Sequence, residues 1–307
     1  MNSKRLLMVL MAIWVTLTVV RDARAQSVEF DVQRGLQYGQ HDGVNLTADL
    51  YTPKAPGKYP ALVAVHGGAL NVGSAALYRH WGPYLAQRGY VLLAIDYRLM
   101  TDGKKKYPDA AHDVRAGVQF LRSHSEAIKV DPDRIGLIGD SGGAYLAALV
   151  ALSGDEPPFA GAYTDDTYSS VSTRVKVCVG IYGVYDLVAA WNYDLVYPPL
   201  DNVGRKFLGA DLVGNRAPGV EASPLAYVTR DNSQTSFLLA WGTQDEAGEP
   251  ATQAKAFLLA LKQARFFVRT VILEGAPNFW VGDPIEESGR FSGFLAPRLV
   301  RFLRARL

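Results

Sequence analysis

Short runs of uninterrupted apolar residues alternate along this chain with longer stretches whose apolar positions recur every third or fourth residue. Leu46 to Tyr51, Ala61 to Val65, Tyr90 to Tyr97, Arg134 to Gly139, Val175 to Tyr182, Ser236 to Trp241 and Arg269 to Leu273 read as strands. Asp109 to Ile128, Gly143 to Leu152, Pro250 to Gln263 and Ala296 to Leu307 read as helices. Near-continuous apolar strands are buried on both faces, and strands alternating with helices predict a mostly parallel sheet covered on both sides. The expected fold class is therefore α/β. One stretch, 188–232, breaks the rhythm: it is loop-rich and aromatic, with Trp191, Tyr193, Tyr197 and the pair Pro198-Pro199. It is either an obscured helical layer or an insertion capping the carboxyl edge of the sheet. We favour the cap, because open α/β sheets bind ligands at that edge.

The N-terminus has a different pattern. Lys4 and Arg5 precede an uncharged apolar run from Leu6 to Val20, followed by Ala23-Arg24-Ala25 before Gln26. This is the layout of a secretory signal peptide cleaved after Ala25. The apolar run is short against the roughly 20 residues that span a bilayer, so a cleaved signal is expected rather than a retained anchor. The expectation is a secreted or periplasmic protein with one domain over 26–307 and no stable membrane anchor after cleavage.

Composition adds little beyond this. A chain of 307 residues that is 49% hydrophobic can bury its own core, and a net charge of +2 gives no electrostatic case for a nucleic-acid partner. Cys178 is the only cysteine, which excludes an intramolecular disulfide, and its apolar surroundings predict a small buried side chain rather than a nucleophile. No metal-ligand spacing or phosphate-binding loop is present, so no cofactor is implied.

The chemistry concentrates in Gly139-Asp140-Ser141-Gly142-Gly143, which follows the apolar strand RIGLIG and runs into the helix AYLAALVAL. A serine at a sharp strand-to-helix turn projects its hydroxyl above the sheet edge, and flanking glycines remove the Cβ clashes of so tight a turn. An ordinary glycine-rich turn is the alternative, and the strand-and-helix context argues against it. The same letters occur in chymotrypsin-like proteases, with Ala110-Ala111-His112 echoing their histidine segment. Those are disulfide-bearing double β-barrels, whereas Ser141 lies between a parallel-type strand and a helix. His112 reads instead as a residue of an amphipathic helix.

Val65-His66-Gly67-Gly68-Ala69 ends the strand ALVAV. With this segment the chain resembles the α/β-hydrolase superfamily, specifically esterases with a His-Gly-Gly-Gly oxyanion loop, among them bifunctional acetyl/feruloyl esterases. Ala69 stands where the third glycine is usual. The resemblance implies an α/β-hydrolase fold, Ser141 as nucleophile, and oxyanion donors at the amides of Gly67, Gly68 and Gly142. His66 would shape the loop. In the superfamily's order the acid follows a later strand, and Gly242-Thr243-Gln244-Asp245 resembles its Gly-Thr-x-Asp turn, which points to Asp245. Glu246, Asp211 and Asp231 are weaker candidates.

The histidine should come last, and Leu273-Glu274-Gly275-Ala276-Pro277-Asn278-Phe279-Trp280 carries Asn278 at its position. All five histidines, His41, His66, His80, His112 and His124, precede Ser141. An asparagine amide is not basic near neutral pH and cannot take the serine proton. Serine carboxylic-ester hydrolysis, strongly impaired by Asn278, is thus the first expectation, with a small-molecule or carbohydrate ester as substrate. A non-catalytic ligand-binding protein of the same fold is the second, and a serine peptidase the third. Recruitment of His112 or His124 as base would require an unusual fold-back. The aromatic residues of 188–232 and Phe279-Trp280 either line an aryl or sugar-ester pocket or pack as core and lid.

Overall fold

The computed structural model describes residues 29–100, 107–155, 159, 161–197, 203–245 and 250–307. The signal-peptide segment and Glu246 lie outside them. Eight strands form one sheet: β1 Phe30–His41, β2 Val44–Pro53, β3 Tyr59–Val65, β4 Val91–Ile95, β5 Val130–Asp140, β6 Val177–Ile181, β7 Ser236–Gly242 and β8 Val268–Leu273. Their order is β1-β2-β4-β3-β5-β6-β7-β8. The pairs from β4 through β8 are parallel, while β2 runs antiparallel to both β1 and β4. The α-helices are α1 Trp81–Ala86, α2 Asp109–Ser123, α3 Gly142–Ser153, α4 Leu187–Val196, α5 Val203–Leu208, α6 Ala217–Glu221, α7 Pro250–Gln263 and α8 Phe291–Arg306. Among the described residues no helix is long and apolar enough to cross a membrane.

The two-residue period of a strand sends alternate side chains to opposite faces, and β3 divides its residues accordingly. Ala61, Val63 and Val65 join a core packed against α2, α3 and α7. Leu62 and Ala64 join a second core built with Trp81 and Leu85 of α1 and Leu295, Leu299 and Leu303 of α8. This explains the unbroken apolar reading of the central strands, since both faces are covered. Cys178 sits in β6, fully buried, where burial pushes its thiol pKa well up. It packs as a small apolar side chain.

Three differences from the sequence reading have physical causes. β1 is largely exposed and polar, so it carries no apolar signal, and its ladder to β2 holds it in place. Its one cue is Asp42-Gly43, both at positive φ, a pair suited to a two-residue hairpin turn. α8 begins at Phe291 rather than Ala296, because Gly293 and Pro297 obscure its first turns. The stretch read as loop-rich is mostly short helices, α4 to α6 and a 3-10 turn at Pro224–Tyr227. Asp186 starts α4 by accepting the N–H groups of Val188 and Ala189 at 2.9 and 3.0 Å.

Candidate active site

Ser141 joins β5 to α3 with φ 50° and ψ −121°, a conformation that non-glycine residues rarely adopt. The turn is so tight that a Cβ on Gly143 would come within 2.0 Å of the Val65 carbonyl oxygen. Only glycine fits there, and the requirement explains the Gly pair that follows the serine. The serine caps the N-terminus of α3, where the first amides of the helix lack intrahelical acceptors.

Facing it, the loop after β3 runs through Gly68, Ala69 and Leu70 with φ of 109°, 52° and 63°. Ala69, the departure from a third glycine, therefore occupies the left-handed region at a cost of about 1 kcal/mol. His66 anchors the loop from behind: its Nδ1–H donates to the Gly67 carbonyl at 2.7 Å, and its ring stacks on Tyr97 at 4.4 Å. Burial lowers its pKa, so the ring is neutral near pH 7.

Gly67 differs from expectation. Its N–H donates to Asp140 Oδ1 at 3.0 Å and so is turned beneath the loop, away from the cavity. Asp140 is buried and also accepts the hydroxyls of Tyr78 at 3.1 Å and Tyr182 at 3.4 Å. Tyr182 in turn accepts the N–H of Val281 at 3.2 Å. One carboxylate thereby ties together the glycine loop after β3, the serine turn and the loop that follows Asn278. Burial pushes the Asp140 pKa up to about 7 against the pull of these donors. Asp140 had one signal in the sequence, a carboxylate ending an apolar strand beside Ser141.

Ser141, Gly68, Ala69, Gly142 and Asn278 line one cavity of about 440 Å³, walled mainly by apolar side chains of α3, α4 and α5. Helices α4 and α5 form one wall of this cavity. Asp245 lies just past the end of β7, buried, and its charge acts on Tyr182. It does not line the cavity. The Thr243 and Gln244 amides bond the Leu273 and Ala276 carbonyls at 3.1 and 3.0 Å, which knits the Asp245 turn to the loop carrying Asn278. Asn278 Oδ1 accepts the N–H of Phe279 at 2.7 Å, and Phe279 is held at φ 64°.

None of the five histidines lines this cavity. His41 pairs with Asp113, His112 packs edge-on to Phe159 in α2, His124 bonds the Phe120 carbonyl, and His80 precedes α1. A larger cavity of about 510 Å³ between β8 and the start of α8 holds Glu287 and Arg290, which bond each other at 2.9 Å. It has no strained nucleophile or glycine loop.

A serine on a strained turn between a central parallel strand and a helix, opposite a glycine loop on the neighbouring strand, defines the α/β-hydrolase fold. Within that class the chain belongs to the BD-FAE family, whose model matches residues 48–261. Among curated relatives it is similar to esterase LipQ of Mycobacterium tuberculosis, 30% identical over 213 residues, 68% of this chain and 48% of that protein. A probable isoprenylcysteine alpha-carbonyl methylesterase of Arabidopsis thaliana is 29% identical over 271 residues, 83% of this chain and 52% of that protein. The chain spans about half the length of the curated relatives it matches. The structure of Thermogutta terrifontis esterase 2 phosphorylated by paraoxon superposes with a TM-score of 0.69 at 23% identity, covering 90% of this chain and 94% of that one. It shares the fold.

Proposed function

We propose that the protein is an exported serine carboxylic-ester hydrolase whose general-base position is occupied by Asn278, so that the chain as it stands is strongly impaired. The observation that carries the reading is the strained Ser141, which lines a cavity together with Gly68, Ala69 and Gly142. In this reading Ser141 Oγ attacks the ester carbonyl and the alcohol leaves. Water then hydrolyses the acyl-enzyme. The amides of Gly68, Ala69 and Gly142 stabilise the oxyanion, each to the extent of about 3 kcal/mol. Asp245 would orient an imidazole at position 278 and hold its charge. The apolar wall, with Trp191 and Phe207, suits an acyl or aryl group, and an acetyl or feruloyl ester of a carbohydrate is the substrate the family suggests. Export rests on the N-terminal sequence pattern.

Asn278 itself favours a second reading, a non-catalytic ligand-binding protein of the same fold. The two readings separate in one assay of p-nitrophenyl acetate hydrolysis, comparing the native chain, Asn278→His and Ser141→Ala. The hydrolase reading expects Asn278→His to gain at least about a thousandfold over the native chain, within the roughly millionfold cost of losing a triad histidine. A fast native chain that gains nothing from Asn278→His would mean that another base acts. If all three stay at background on simple esters, the binding reading stands instead.

A further inference from the structure

The parallel strands end at the Ser141 edge of the sheet, and the opposite edge, where they begin, is basic on the side covered by α8. Lys176 directly precedes β6, Arg269 stands at the start of β8, and Arg134 precedes the run of β5 that pairs with β3 from Ile135 onward. Arg88 lies between α1 and β4, while Arg304 and Arg306 close α8. All six side chains are exposed. Contacts join them into one patch. Arg134 Nε donates to the Leu307 carbonyl at 2.6 Å, and Arg306 Nε donates to the Ser236 hydroxyl at 2.9 Å. The guanidiniums of Arg306 and Arg269 lie over the Phe267 ring, 4.1 and 5.1 Å from its centroid. The backbone of Lys176 bonds those of Ile135 and Ser236 at 2.9 and 2.8 Å, and the charges of Arg304 and Arg134 both act on Tyr90. The strand from Ile135 to Asp140 sets Arg134 about 20 Å from Ser141.

Among the described residues none of the six makes an ion pair. Asp131 and Asp133, the acids just before Arg134, act on Lys58 and Arg122. Water satisfies each exposed cation, so no single charge calls for a ligand. Their convergence is what matters, because like charges gathered on one face add to a potential that attracts a polyanion. The dipole of α8 accounts for Arg304 and Arg306 in its last turn, but not for Arg134, Lys176 and Arg269 on or before strands.

We propose that this edge of the sheet docks reversibly on an anionic lipid surface and leaves the Ser141 cavity facing away from it. Arginine forks match phosphodiester oxygens two bonds at a time. The cavities of about 510, 440 and 350 Å³ are lined by other residues, so the patch offers a charged plane to a bilayer rather than a groove to a single chain. Phe267, the ring within it, is half-buried beneath two guanidiniums, so charge and not insertion governs the contact. The patch lies outside the ester site, and the proposal stands apart from the hydrolase reading.

The test is co-sedimentation with vesicles of phosphatidylcholine alone and of equal parts phosphatidylcholine and phosphatidylglycerol. It uses the chain from Gln26, which contains every described element and leaves out the N-terminal apolar run that would itself enter a bilayer. The mixed vesicles should bind at least about tenfold more tightly, since each basic side chain near an anionic surface contributes about fivefold, and added salt should erase the difference. Lys176→Glu, Arg269→Glu and Arg304→Glu together should abolish the preference; among the described residues these side chains make no hydrogen bond, so the fold is spared. Arg79→Glu, Arg216→Glu and Lys255→Glu make the same change in net charge at exposed positions elsewhere and should leave most of it. Equal binding to both vesicles, a preference that survives the first triple variant, or equal losses in the two triple variants would overturn the proposal. So would tighter binding to polygalacturonate, a soluble polyanion, than to the mixed vesicles.

Discussion

At the corner where β1 meets α2, His41 Nδ1 lies 2.7 Å from Asp113, its ring stacks on Tyr163 at 3.8 Å, and Arg98 grips the same carboxylate. At the carboxyl edge of the sheet, Asp245 and Asn278 sit on adjoining turns beside a serine in strained geometry. The first corner has the imidazole and carboxylate of a proton relay, but no strained strand-to-helix serine turn and a void of only about 20 Å³. The second has the strained Ser141, the glycine loop and a cavity of about 440 Å³, and no imidazole. A His–Asp pair is therefore no sign of catalysis by itself. In the first corner it answers the desolvation of a fully buried Asp113, whereas at the sheet edge strain is stored around an open cavity. Ala69, Leu70, Ser141, Tyr182 and Phe279 all have positive φ at that edge.

The contrast can be broken most severely at Asp245. In an Asn278→His background, Asp245→Asn should lower ester turnover by about ten-thousandfold, because the imidazole loses its orienting carboxylate. In the native chain the same change should do little to turnover. Initial rates of the four combinations measure the coupling, and equal losses in both backgrounds would place the acid elsewhere.

A smaller effect is expected at the other corner, and on stability rather than rate. Asp113→Ala removes the buried carboxylate that Arg98 and His41 share, which should cost about 3–5 kcal/mol. Urea denaturation measures it. The turnover gained by Asn278→His should persist in the folded fraction. Loss of that gain without loss of stability would tie the His41 corner to the chemistry.

The smallest effect is a pH slope. Burial by itself would raise the Asp113 pKa, but the hydrogen bonds from His41 and Arg98 and the charge of Arg98 outweigh it and hold the pKa below its ordinary 3.8. The unfolded chain binds this proton more readily, so the stability contributed by Asp113 is fully present above 3.8 and lost as pH falls through the folded value. Urea midpoints should fall towards low pH in the native chain and fall less steeply in Asp113→Asn. Parallel slopes would contradict the assignment.

Much of this was legible before any coordinates. The apolar strands and the serine turn follow from residues whose local and tertiary preferences agree. α7 matches its sequence-read bounds of Pro250 to Gln263 because no glycine or internal proline disturbs its period. What stayed hidden depends on long-range contact. The engagement of the Gly67 amide by Asp140 joins residues 73 positions apart and has no sequence period. The helices of 188–232 are short and gain their stability from packing over the cavity, so their own pattern is weak. β1 is largely exposed and polar, so its own pattern is weak, and its ladder to β2 aligns it in the sheet.

The proposed hydrolase function requires Ser141 to be a nucleophile that lacks only its base. Labelling with a fluorophosphonate, read by intact mass and peptide mapping, tests it most directly. One adduct is expected, on Ser141, formed rapidly in Asn278→His, far more slowly in the native chain, and not at all in Ser141→Ala. A native chain that labels as fast as Asn278→His, or an adduct on any other residue, would contradict it.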